Sequence, residues 1–181
     1  MCRFNKIVIY TLGFPKAWFL EGLVHALKVV FGVSVSHKGQ IPMPYAAWDN
    51  QRGQYLAEAV LEQLIPLRSS SSEVLIAITK EDLYATGLNF VFGIASAVIG
   101  CCLVSTARLV NSFYGLPEDE DLFLQRLTKE SVHEIGHVLG LSHCDNPGCV
   151  MYFSNSIVDT DRKGTDFCPR CRSLVNAAIC P

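Results

Sequence analysis

Hydrophobic and polar positions along the chain alternate between two rhythms. Lys6 to Leu12 is β-branched and aromatic and stops at Gly13-Phe14-Pro15, which predicts an opening strand. From Lys16 to Phe31 apolar residues recur at helical spacing, while Glu21, His25 and Lys28 share another face. Pro15 suits a helix start and Gly32 a helix stop. Val33 to His37 predicts a second strand, Gly39 to Gly53 a loop, and Gln54 to Leu67 a second helix closed by Pro66 and the serines Ser69 to Ser72. Val74 to Thr79 is short and apolar, as a buried strand would be.

Leu88 to Ala107 runs for twenty residues without a charge. That length could span a bilayer. Gly93, Gly100 and Asn89 interrupt it, however, and its Val, Ile and Phe content fits two consecutive buried strands, near Phe90 to Ala95 and near Leu103 to Ala107. Strand, helix, strand, helix, strand is the rhythm of an α/β sheet, and the closing hairpin predicts an antiparallel edge strand. Pro117 and the acidic run Glu118 to Asp121 then open a long helix, with negative charge at its positive end.

Composition narrows the class. At 181 residues the chain reads as one domain with a sizeable core, and its net charge of −2 argues for neither nucleic acid nor an anionic membrane as partner. The apolar run Ile7 to Phe14 meets Lys16 with no small-residue cleavage site, so a secretory signal is not expected. A cytoplasmic location follows as the expectation. There, eight cysteines read first as metal ligands rather than disulfides.

The chemistry concentrates in Ser131 to His143, which reads H-E-x-x-H-x-x-G-x-x-H. At 100° per residue, His133 and His137 lie about 40° apart on one helical face, so their imidazoles can share a zinc ion. Glu134 lies beside them, placed to take a proton from a zinc-activated water. Gly140 can adopt the positive φ that ends a helix and swings His143 back to the same metal. Leu124, Leu127, Val132, Ile135, Val138 and Leu139 fall on the opposite arc, which predicts a helix packed by one side. Glu130, one turn before His133, is a candidate partner for the histidines.

Cys144 and Cys149 follow at once, and Cys168-Pro169-Arg170-Cys171 comes later. Four thiolates at C-x4-C and C-x2-C spacing suit a closed, structural zinc site that ties a short tail together; disulfides or unrelated buried thiols are the alternatives. Cys2, Cys101, Cys102 and Cys180 fall outside the pattern, and Cys101 and Cys102 read as buried thiols. His143 and Cys144 are neighbours assigned to different metals.

Met151 follows Cys149 by two residues. With it, the run His133-Glu134, His137, Gly140, His143-Cys144, Cys149, Met151, Cys168 and Cys171 resembles the archaemetzincins, a branch of the metzincin zinc peptidases. Arg52 to Tyr55, Asp82 to Gly93, Ala107 to Leu109 and Met151 to Ser156 also look like family segments, so the resemblance spans nearly the whole chain. Ile94 and Cys101-Cys102 depart from it, standing where more polar residues are expected.

The resemblance implies a metzincin-like α/β fold: a twisted mixed sheet with backing helices, an active-site helix, and a small zinc-bound C-terminal subdomain. In domain terms, 1–143 would be catalytic and 144–181 the four-cysteine subdomain. It also implies a methionine turn beneath the metal and an edge strand that pairs with an extended peptide, with Phe90 to Ala95 the candidate and an inner core strand the alternative. Tyr152, beside the methionine, could approach the metal as in some metzincins. The functional expectation is a zinc metalloprotease with two zinc ions per chain, acting on peptide or protein substrates. Its catalytic zinc would be held by His133, His137 and His143, its structural zinc by Cys144, Cys149, Cys168 and Cys171, with Glu134 as general base. The rival expectation is a zinc-stabilised binding or scaffold protein with little turnover.

Overall fold

The structure is a computed structural model that describes residues 3–14 and 16–180. Pro15 and Cys2, and with them the expected helix start at Pro15, lie outside the described residues. A five-stranded twisted mixed sheet forms the frame. It comprises β1 (Lys6–Leu12), β2 (Ser34–Ile41), β5 (Glu73–Thr79), β7 (Gly93–Ser96) and β8 (Cys101–Ser105), in the order β2-β1-β5-β8-β7. All neighbours are parallel except β7, which runs antiparallel to β8 at the edge. The expected edge strand is therefore present, starting three residues later than the Phe90 the pattern predicts and ending one later, and the inner-strand alternative is excluded.

Period-two alternation explains the layers. In β5 the side chains of Val74, Ile76 and Ile78 join one buried cluster, while Leu75 and Ala77 join the other. β8 divides in the same way, Cys102 and Val104 on one face, Cys101 and Leu103 on the other. The first face is covered by α1 (Leu20–Phe31) and by α3 (Glu120–Val138), and the second by the short α2 (Ala57–Glu62). The uncharged stretch is thus a buried hairpin. Among the described residues no helix is long and apolar enough to cross a membrane.

Three sequence expectations are corrected here. The helix expected from Lys16 begins at Leu20. The loop expected over 39–53 holds the end of β2 and the short strand β3 (Trp48–Asp49). The helix expected from Gln54 to Leu67 begins as a strand, β4 (Gln54–Leu56), which pairs with β3 and with β6 (Leu83–Tyr84). Tertiary pairing overrides propensity there: the Tyr55 N–H donates to the Asp82 carbonyl, and Gln54 is buried among partners distant in sequence.

Helix α3 starts as the acidic run predicts, the Asp119 side chain accepting from the Leu122 N–H at 2.9 Å. Its packing is broader than one side, for it is buried on nearly every face from Arg126 to Gly136. Three of its charged residues there, Arg126, Lys129 and Glu130, have built-in partners. Arg126 forms a two-pronged ion pair with Asp161, and Lys129 donates to the carbonyls of Thr160 and Asp161, gripping α4 (Ile157–Arg162) by its C-terminal end. The tail ends in α5 (Pro169–Ala178), and Met151, Phe167 and Val175 share the same core cluster as α1 and α3.

Candidate active site

The last turns of α3 place His133 and His137 one turn apart, and the chain then reverses. Gly140 has φ of +94°, a conformation that favours glycine, and the Leu141 N–H closes the turn on the Gly136 carbonyl at 3.0 Å. This reversal brings His143 back beside the helix. One ring nitrogen from each of His133, His137 and His143 lies within 4.8 Å of the others, a donor set able to hold a cation.

Hydrogen bonding decides which nitrogens face the centre. His133 Nδ1 lies 2.8 Å from the Val150 carbonyl and His137 Nδ1 2.8 Å from the Leu141 carbonyl, so each Nδ1 carries the proton and donates it. Their Nε2 atoms, lone pairs exposed, face each other at 3.0 Å. Burial first, then the Lys163 ammonium and His137, push His133 down to about 2; burial lowers His137 and His143 as well. All three imidazoles are neutral at neutral pH.

The expected helper Glu130 is engaged elsewhere. It accepts from Thr160 Oγ1 at 2.9 Å and pairs with the buried ammonium of Lys163 at 3.0 Å. The outer partners of His133 and His137 are backbone carbonyls, which a sequence pattern does not display. Lys163, in a short polar run, reads as a solvated charge; its burial is a tertiary fact with no local signal.

Glu134 is buried, lines the same cleft as the histidines, and makes no hydrogen bond or ion pair with the described residues. Burial, then the charge of Glu130, push its carboxyl up to about 8, with Lys163 pulling the other way. The cleft, about 450 Å³, has one wall from Ala85 to Ala95 and another from Phe153 to Asn155. Gly93 of β7 lies directly over Glu134: a Cβ there would sit 2.7 Å from Glu134 Cγ and 2.8 Å from the Leu103 carbonyl oxygen. A glycine inside a strand marks such an approach, and that was the available signal.

Beneath the helix, Met151 is fully buried, its sulfur filling the space left by Gly136, whose missing side chain that close approach requires. Tyr152 is half-buried, and is absent from the cleft lining. The thiols of Cys144, Cys149, Cys168 and Cys171 converge within 4.8 Å as free cysteines, so the disulfide alternative is excluded for them. Cys144 Sγ lies 3.8 Å from Cys168 Sγ, and the Cys168 N–H points at Cys149 Sγ at 3.3 Å. Cys101 and Cys102 are buried thiols, as expected, and burial pushes Cys101 up to about 11.

An α/β sheet with an antiparallel edge strand over a histidine-bearing helix defines a metallopeptidase class of fold. Comparison with known proteins narrows it. The model of peptidase family M54 matches residues 20–177. The archaemetzincin of Methanocaldococcus jannaschii is 44% identical over 171 residues, covering 94% of this chain and 93% of that protein. The archaemetzincin of Pyrococcus furiosus is 44% identical over 156 residues, covering 84% and 81%. A solved zinc-dependent peptidase from Methanocorpusculum labreanum superposes with a TM-score of 0.87 at 33% identity, over 94% of this chain and 100% of that one. The chain belongs to peptidase family M54, as a metallopeptidase of the archaemetzincin kind.

Proposed function

We propose that this chain is a zinc-dependent peptidase that hydrolyses peptide bonds, with zinc held by His133, His137 and His143 and with Glu134 as general base. The donor chemistry supports the metal. Two Nε2 lone pairs facing each other at 3.0 Å repel unless a cation lies between them, and tetrahedral zinc with bonds of about 2.0–2.1 Å would hold such nitrogens about 3.3 Å apart. Four thiolates at zinc–sulfur distances of about 2.3 Å would lie about 3.8 Å apart, the spacing of the Cys144 and Cys168 sulfurs. The reading therefore assigns a second, structural zinc to Cys144, Cys149, Cys168 and Cys171. It also assigns residues 144–181 to a C-terminal subdomain and 1–143 to the catalytic part.

When bound at the histidines, zinc supplies Lewis acidity that polarises a carbonyl and acidifies water. The chain's own residues do the rest. The carbonyls of Val150 and Leu141 fix the tautomers of His133 and His137 and aim their Nε2 atoms. The positive charge of a bound zinc ion would favour the ionised form of Glu134 against its burial, and that carboxylate would take the proton of the attacking water and pass it to the leaving amine. The free edge of β7 accepts an extended peptide as a further strand.

The observation that carries this reading is Glu134: a buried carboxylate without a partner, lining the cleft on which three imidazoles converge. With no hydrogen bond or ion pair to the described residues, its carboxyl faces the cleft rather than holding the fold together. It also counts against a scaffold held by metal alone, which would need no base. The partner is a peptide or protein chain rather than nucleic acid, in keeping with a net charge of −2. The test is cleavage of a randomised peptide library by the zinc-loaded protein. Loss of cleavage with a chelator and recovery with zinc support the reading, while intact peptides throughout contradict it.

A further inference from the structure

Arg108, Asp82 and Gln54 lie far apart in sequence and meet behind the cleft wall. Arg108 grips the Asp82 carboxylate with two parallel bonds, Nε to Oδ1 and Nη2 to Oδ2, each 2.8 Å. Gln54 Nε2 donates to the same carboxylate at 2.9 Å and to the Asn89 carbonyl at 3.1 Å. The Arg108 guanidinium also lies over the Phe90 ring, 4.3 Å from its centre, with Phe113 on it at 4.8 Å. Phe90 in turn meets Phe92 edge to face at 5.4 Å. Asn89, Phe90 and Phe92 all line the cleft and lead directly into β7.

This wall has little regular structure to hold it. From Ala85 to Phe92 it forms no strand or helix, and its backbone anchors include the Val91 N–H on the Leu83 carbonyl and the Phe92 carbonyl under the Ser105 N–H. A half-buried ion pair at 22–23% side-chain exposure is an unusual expense for a surface turn. Its geometry is bidentate and stacked, the form in which arginine fixes position as well as charge.

We infer that Arg108, through Asp82 and Gln54, is a positioning residue that holds the Asn89-to-Phe92 wall in place to receive an extended peptide. Arg108, Asp82 and Gln54 stand outside the cleft lining and make none of the contacts of His133, His137, His143 or Glu134. It therefore acts on capture of the peptide before bond cleavage. The inference rests on the peptidase reading for its substrate class.

The experiment compares Arg108→Met, Arg108→Lys and Gln54→Met in the zinc-loaded full chain carrying Glu134→Gln, which separates binding from turnover. The probe is a fluorescein-labelled, N-acetylated, randomised decapeptide pool, followed by anisotropy. Arg108→Met is expected to weaken binding about tenfold with zinc content unchanged, because a wall that must be ordered on binding loses affinity. Arg108→Lys is expected to weaken it nearly as much, since lysine keeps the charge and loses the fork and the stacked plane. In the active chain the same substitutions raise KM and leave kcat within about threefold. Should Arg108→Met fail to fold, Gln54→Met, which removes the hook on Asn89, is expected to weaken binding in the same direction.

Unchanged binding in the folded variants overturns the inference, as does full restoration by Arg108→Lys. A fall in kcat and zinc content with KM constant also overturns it, because that is the signature of general destabilisation. Absence of any pool binding by the parent overturns it too. Pool binding by the parent without cleavage by the active chain defeats the peptidase reading and leaves the clamp to be judged by the binding comparison alone.

Discussion

Gly93 and Glu134 occupy adjoining space: a single methyl group on the glycine would come within 2.7 Å of the glutamate's Cγ and 2.8 Å of its Oε1. The edge strand and the proposed base are therefore set against each other without slack, the Leu103 carbonyl closing the third side at 2.8 Å. Backbone cannot retreat as a flexible side chain can.

Gly93→Ala is accordingly expected to push the Glu134 carboxylate out of place. A misplacement of about 1 Å costs roughly 10²-fold in rate. The expected outcome is a fall of that order in kcat with zinc still bound at the histidines. Steady-state kinetics beside a zinc assay checks it, and unchanged kcat would show that Glu134 has other room.

Met151 should matter for stability more than for chemistry. It is fully buried beneath Gly136, and Met151→Ala leaves a cavity at the base of the helix that carries His133 and His137. The cost expected from urea unfolding is about 2–5 kcal/mol, as for other buried methionines. A smaller loss would mean that the neighbouring Phe167 collapses into the space.

The two proposed zinc sites meet between adjacent residues. The Cys144 N–H donates to the Met151 carbonyl at 2.9 Å, and Val150 supplies the carbonyl that orients His133. Cys168→Ser is expected to empty the thiolate site and, through that turn, to weaken zinc at the histidines by about tenfold, within the range of an outer-partner mutation. Zinc titration against a competing chelator measures it. Undiminished affinity at the histidines would show the two sites to be independent.

Acid stability has an identifiable contributor in Glu73, which is buried at 1% exposure and paired with Lys6 at 3.0 Å. Burial alone would raise its carboxyl, but the bonds from Lys6 and Ser69 outweigh this and hold it below its ordinary value of 4.5. A depressed carboxyl stabilises the fold above the unfolded value and loses that contribution as pH falls through the folded one. Glu73→Gln is thus expected to cost about 1–3 kcal/mol at pH 7, the difference from the parent shrinking below about pH 4.5. Urea melts of both proteins across that range check the sign.

Contiguity decides how much of this was readable from sequence. The histidine motif, Gly140 and the cysteine spacings sit on short stretches whose local geometry is dictated by helix pitch and turn chemistry, and the structure brings them together as expected. The unbroken apolar runs that contain β5 and β8 likewise announced buried strands. What escaped was long-range. Gln54 joins a strand because Asp82 and Asn89 wait for it, and Lys163 is buried because Glu130 of α3, itself held by Thr160 of α4, meets it. No periodicity within a window of a few residues carries such partners.

The central claim rests on Glu134 as the base, and Glu134→Gln tests it most directly because the amide keeps the shape and removes the proton acceptor. Its kcat/KM on a library-selected peptide, measured beside zinc content, is expected to fall by about 10²–10⁴-fold with zinc retained at the histidines. Activity within a few-fold of the parent at full zinc occupancy would contradict the mechanism.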